Sequence, residues 1–95
     1  MTEQLKDKIV VITGSTRGYG YAIAEAMLKS GATVVVTGRS ADALQSAINS
    51  LSGFGPVSGK QLDVTNEAQV YDIVERVVQK FGRIDIWIKI GRAHV

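Results

Sequence analysis

Apolar and polar positions along the chain fall into seven alternating segments. IVVIT (9–13) and TVVVT (33–37) are β-branched, apolar on both faces and bounded by glycine, the pattern of strands buried within a parallel sheet. Between them YGYAIAEAMLKSG has helical composition and closes on Lys29, Ser30 and Gly31, a C-terminal stop signal. Ser40 is placed to cap a second helix, ADALQSAINSL, with Asp42 in its first turn. SGFGPVSG holds three glycines and the only proline and predicts a loop, followed by a short third strand, KQLDV. Thr65 is the expected cap of NEAQVYDIVERVVQKFG, whose Val70, Ile73, Val74, Val77, Val78 and Phe81 recur at helical spacing on one face. Gly82 ends that helix, and IDIWI is the fourth strand. Trp87 alternates out of phase with Ile84, Ile86 and Ile88, which predicts packing against a helix.

Three successive βαβ units with right-handed crossovers predict one twisted parallel sheet in the order 3-2-1-4. The first two helices then cover one face and the third helix the other. The expected fold class is α/β, the first four strands of a Rossmann-type doubly wound sheet, an architecture that binds nucleotides at the carboxyl ends of its strands. With a single helix on its second face and IDIWI as an apolar edge, the chain alone is expected to fold poorly and to aggregate.

Composition narrows the function. Of 95 residues, 45% are apolar and 21% charged, which is globular and too short for more than one domain. Eleven basic against nine acidic residues give a net charge of +2, and setting Lys89 and Arg92 aside leaves zero, so no nucleic-acid partner is implied. The absence of cysteine removes disulfides, thiolate catalysis and Cys-ligated metals. MTEQLKDK is not a secretory signal, and no apolar run approaches the ~20 residues that span a bilayer. The expectation is a soluble cytoplasmic protein. His94, the only histidine, has no second ligand at metal-binding spacing.

Chemistry concentrates in TGSTRGYG, directly after the first strand and opening the first helix. Gly14, Gly18 and Gly20 allow a tight strand-to-helix turn and close backbone approach to a pyrophosphate seated on the helix N-terminus. Ser15 and Thr16 can add hydroxyl donors, and Tyr19 is expected to fill the turn. No Gly-Lys-Ser/Thr closes the turn, so it is not a P-loop.

The pattern T-G-x-x-x-G-x-G at Thr13 to Gly20, after KDKIVVITG and followed in register by GRS (38–40), LDVT (62–65) and FGRIDIWI (81–88), resembles the short-chain dehydrogenase/reductase family over residues ~5–88. The resemblance implies that Asp63 and Val64 contact the adenine ring. It implies a full-length enzyme that moves a hydride between a nicotinamide cofactor and a carbonyl or alcohol, in a homo-oligomer. The family's Tyr-x-x-x-Lys is not here: Tyr19, Tyr21 and Tyr71 are followed four places on by Ile23, Glu25 and Glu75. No catalytic residue is therefore assigned, and the small-molecule substrate belongs to the remainder of such an enzyme.

Cofactor choice has its own signal. NAD enzymes of this fold place an acid about 20 residues past the glycine turn, at the end of the second strand. That place holds Thr37, Gly38, Arg39 and Ser40, a guanidinium where a carboxylate is expected. In the resembling family a basic residue at the position of Arg17 reaches the same ribose, so the pair favours NADP over NAD. The missing acid also argues against an unrelated Rossmann protein such as a methyltransferase. An inactive dinucleotide-binding or redox-sensing module of the same fold stays open.

The tail KIGRAHV stands where the family runs into Asn-Asn-Ala-Gly. It matches the in-frame translation of a common sequencing-library adapter after one native base. The expected division is a partial NAD(P)-binding domain over 1–88 and a non-native tail over 89–95.

Overall fold

The computed structural model describes residues 4–90. Their order is β1 (Ile9–Ile12), α1 (Gly18–Lys29), β2 (Thr33–Gly38), α2 (Ala41–Leu51), β3 (Val57–Gln61), α3 (Glu67–Phe81) and β4 (Ile86–Ile88). All pairings are parallel, in the sheet order β3-β2-β1-β4. Val10 is in register with Val34 on one side and Ile86 on the other, so side chains of one phase from three strands point to the same face. On that face Val10, Ile12, Val34 and Val36 pack with Ala24 and Leu28 of α1 and Leu44 and Leu51 of α2. The opposite phase, Ile9, Val11 and Val35, packs with Leu62 and with Ile73 and Val77 of α3. Burial on both faces is why β1 is an unbroken apolar run.

Two boundaries differ from the sequence expectation. The third strand is VSGKQ rather than KQLDV, because Val57, Ser58 and Gly59 pair with Val34, Val35 and Val36. Ser and Gly imitate a loop in the sequence, but β3 is a sheet edge, and a Cβ at Gly59 would lie 2.6 Å from Ile48 Cδ1 of α2. Glycine there lets Ile48 and Leu44 of α2 pack directly on the strand, and a larger residue would have to displace their side-chain ends. Leu62 follows the strand, donating its N–H to Gly38 O at 2.9 Å and burying its side chain. The cap of α3 is Asn66, whose Oδ1 accepts from Gln69 N at 3.2 Å, and not Thr65, whose hydroxyl turns back to donate to Asp63 Oδ1 at 2.6 Å. Ser40 caps α2 as expected, accepting from Ala43 N. Gly82 closes α3 in the left-handed conformation, φ 88°. Val78 is 41% exposed, on the flank of α3 and not on the face made by Ile73 and Val77.

Trp87 packs with the α3-side cluster, as its phase predicted. Beside α3 the sheet carries an open groove of about 400 Å³, largely apolar through Val64, Val70, Val74 and Trp87, with Glu67 and Lys89 also in its wall. Every residue of β4, at the sheet margin, is only half-buried. Most of the tail, residues 91–95, lies outside the described residues. Lys89 is exposed, whereas Ile90 packs against the α1–α2 cluster and donates its N–H to Thr13 Oγ1 at 3.0 Å. An apolar strand edge beside an apolar groove is a template for pairing with another chain. The isolated 95-residue chain is therefore expected to self-associate in sedimentation and to melt without a cooperative transition. A monomer with a sharp melt would contradict this.

Candidate functional site

The glycine turn joins β1 to α1 by bonds that run sideways to β2. Gly14 takes φ +62°, a conformation costly for any residue with a Cβ, and its N–H donates to Thr37 Oγ1 at 3.3 Å. Ser15 is fully buried: its N–H donates to Thr37 O at 3.0 Å, while its hydroxyl donates to Ile12 O at 2.8 Å and accepts from Thr37 N at 2.9 Å. The Thr37 hydroxyl donates to the same Ile12 carbonyl at 3.1 Å. Two buried side chains and the backbone of both strands thus form one closed network. This corrects the expected role of Ser15, whose hydroxyl is consumed inside the fold and does not face a ligand. Thr37 was not singled out by sequence reasoning. Its only signal was a polar residue following the apolar run Val34–Val36.

The chain then enters α1 through Arg17, extended at φ −161°, whose side chain makes no capping bond. The first turn of α1 holds no acid either, so neither a cap nor a carboxylate of its own covers its positive end. Gly20 is buried where a Cβ would lie 2.4 Å from Gly14 O, so the helix can approach the turn this closely only with glycine. Gly18, at φ +64°, faces open space. Tyr19 is 84% exposed. It projects outward and does not fill the turn, because the tight space around Gly20 lies on the other side of the helix start.

Above these residues lies a cleft of about 760 Å³, bounded by Gly14, Thr16 and Arg17 from the turn, Gly38, Arg39 and Ser40 after β2, and the small residues Ala43, Ser46, Ala47 and Ser50 of α2. Its lining contains two guanidinium groups and no carboxylate. Thr16 reaches across to β2: a Cβ at Gly38 would meet its Cγ2 at 2.5 Å. Ser40 lines the cleft while its oxygen caps α2.

Asp63 and Val64 stand farther along the carboxyl edge of the sheet. Asp63 Oδ1 accepts from Thr65 N (2.9 Å), Thr65 Oγ1 (2.6 Å) and Arg39 Nη2 (3.3 Å). The Thr65 hydroxyl and N–H, and then Arg39, hold the Asp63 carboxyl below the usual carboxylate range. Val64 is exposed and opens onto the groove beside α3. Among the described residues no group of three His, Cys, Asp or Glu is placed to hold a metal, and no helix is long and apolar enough to cross a membrane.

A parallel sheet in this order, a glycine turn fused to an uncapped helix start, and a cation-lined cleft at the carboxyl edge are the parts of a dinucleotide-binding domain. The family model for short chain dehydrogenase matches residues 8–90. The chain belongs to the short-chain dehydrogenase family. Among its relatives in this family, an uncharacterized oxidoreductase of Bacillus subtilis, YvrD, is 41% identical over 88 residues, 93% of this chain and 33% of that protein. The NADP-dependent (R)-specific alcohol dehydrogenase of Lentilactobacillus kefiri is 37% identical over 84 residues, 88% of this chain and 33% of that enzyme. The structure of L-sorbose reductase from Gluconobacter frateurii, complexed with NADPH and L-sorbose, superposes with a TM-score of 0.90 at 36% identity, covering 100% of this chain and 37% of that one. The chain therefore spans about a third of the length of these short-chain dehydrogenases.

The Ser15–Thr37 network yields a direct test. In a full-length protein carrying this segment, Thr37→Val strips the partly buried Gly14 N–H of its partner and the buried Ile12 O of one of its two side-chain donors. The expected loss is about 1–3 kcal/mol of unfolding free energy by denaturant titration. A loss below about 0.5 kcal/mol, the range of ordinary surface substitutions, would contradict the assignment.

Proposed function

We propose that this segment holds the pyrophosphate and adenosine half of NADP(H) in a reductase or dehydrogenase that interconverts a carbonyl and an alcohol. The observation that carries the proposal is the cleft with Arg17 and Arg39 in its wall and no acid, beside an uncapped helix start. The bound cofactor supplies the hydride chemistry. The backbone around Gly14 and Gly18 and the first-turn N–H groups of α1 receive the pyrophosphate, with the positive end of the helix favouring its charge. Thr16 offers the free hydroxyl of the turn, and the backbone at Tyr19 lies in the same first turn. Arg17 and Arg39 receive the 2′-phosphate through charge-assisted hydrogen bonds, each worth ~1.5–3 kcal/mol. Asp63 and Val64 border the adenine. NADP-dependence in the Lentilactobacillus alcohol dehydrogenase and NADPH in the sorbose reductase complex support the phosphate-bearing cofactor. Proton transfer and substrate recognition are assigned to the rest of the full-length enzyme.

Residues 89–95 we read as foreign to the gene. Residues 91–95 lie beyond the family match, which ends at residue 90, and Lys89 is exposed where the family would run into Asn-Asn-Ala-Gly, while Ile90 packs against the α1–α2 cluster. A genomic read continuing into Asn-Asn-Ala-Gly is expected. One encoding KIGRAHV and a stop codon would make the tail native.

The cofactor assignment predicts that the full-length protein binds NADPH more tightly than NADH in calorimetry. Arg39→Asp, which returns an acid to the end of β2, should erase or reverse that preference. Equal affinities in the unmodified protein would overturn it.

A further inference from the structure

Arg39 stands on the divide between two clefts. One is the acid-free cleft over the glycine turn; the other, of about 610 Å³, is bounded by Lys60, Gln61, Asp63, Gln69 and Asp72. The backbone of Arg39 is fixed from the second side, where Gln61 Nε2 donates to its carbonyl at 2.7 Å. Its guanidinium is free to lean either way, being largely exposed, and it pairs with Asp63 at 3.3 Å. Among the described residues Arg17 forms no ion pair, so of the two arginines lining the first cleft only Arg39 has an internal anionic competitor.

Resting on the proposal that Arg39 receives a 2′-phosphate, we propose that Asp63 is a specificity-determining residue, which competes with that phosphate for the Arg39 guanidinium and so lowers the preference for NADP(H) over NAD(H). Asp63 is well suited to compete. Its carboxylate is oriented by two bonds from Thr65, and the Asp63 N–H donates to Gln69 Oε1 at 2.8 Å, so the acid is held in place. The same Thr65 contacts keep it ionised down into the acidic range. For NAD(H), which lacks the phosphate, Arg39 can remain on Asp63 at no cost. For NADP(H) the pair must open or share the guanidinium. Any contact of Asp63 with adenine is common to both cofactors and cancels in the ratio of their affinities.

The test is that ratio, NADPH over NADH, measured by calorimetry in the full-length protein. Asp63→Asn retains an oxygen to accept from Thr65 and removes the charge. The ratio is expected to rise roughly two- to five-fold, the span of an exposed ion pair. In an Arg39→Ala background the same substitution should leave the ratio unchanged. Asp63→Ser, whose hydroxyl also accepts from Thr65 N–H, is expected to move the ratio the same way and serves if the Asn variant is poorly folded. A ratio unchanged or lowered in the folded variants, or raised equally without Arg39, would overturn the inference. Arg39→Ala alone reports on the underlying assignment: a ratio left at the unmodified value would remove the phosphate from Arg39, whereas a lowered ratio with no response to Asp63→Asn would remove only the competition.

Discussion

The site depends on the exchange of hydrogen bonds between Ser15 and Thr37. Parallel strands normally diverge past their last paired residues, and a strand-to-helix turn has no ladder to hold it. Here Ser15 N–H to Thr37 O, and Thr37 N–H to Ser15 Oγ, continue the β1–β2 pairing beyond Ile12, the last residue of β1. The two hydroxyls share the Ile12 carbonyl, and no buried side-chain polar atom among the described residues lacks a partner. A fully satisfied buried network is rigid because opening any one bond leaves a desolvated group unpaired. The turn that precedes α1 and the strand end that carries Arg39 are therefore one body. With Gly20 drawing the helix onto the turn, the positive end of α1 and the backbone that carries Arg39 hold fixed relative positions before any ligand arrives.

Electrostatics then divides the carboxyl edge of the sheet. Over β1 and β2 the lining is cationic or neutral; beyond β2 the acids Asp63 and Asp72 enter. The acid-free lining is confined to the first side, and Arg39 marks the boundary.

Much of this was legible in the residues. β1 and β2 are β-branched and apolar on both phases, which only a doubly covered parallel sheet satisfies, and the order of strands follows from crossover handedness. TGSTRGYG identifies itself because each glycine answers a physical demand of the turn. β3 was misplaced because Ser58, at the sheet edge, and Gly59, against which α2 packs, look like a loop in sequence. Thr65 and Asn66 are both acceptable caps, and the choice was made by Asp63, which captures the Thr65 hydroxyl. The roles of Ser15 and Thr37 were hidden because a serine in a phosphate-binding turn reads as a donor to ligand. Its inward direction is set by the twist that brings β2 alongside, a tertiary fact with no local signature. Likewise the Arg39–Asp63 pair joins residues 24 apart, at the ends of different strands.

The claim that the turn is prebuilt is tested most directly by native-state hydrogen exchange of a full-length, ligand-free protein. The Ser15 and Thr37 amides, both bonded within the buried network, are expected to exchange only through global unfolding, at the free energy of Val11 and Val35 in the strand centres. Exchange of Ser15 and Thr37 through a local opening several kcal/mol below that of the strand centres would show that the turn forms around its ligand, and would contradict this account.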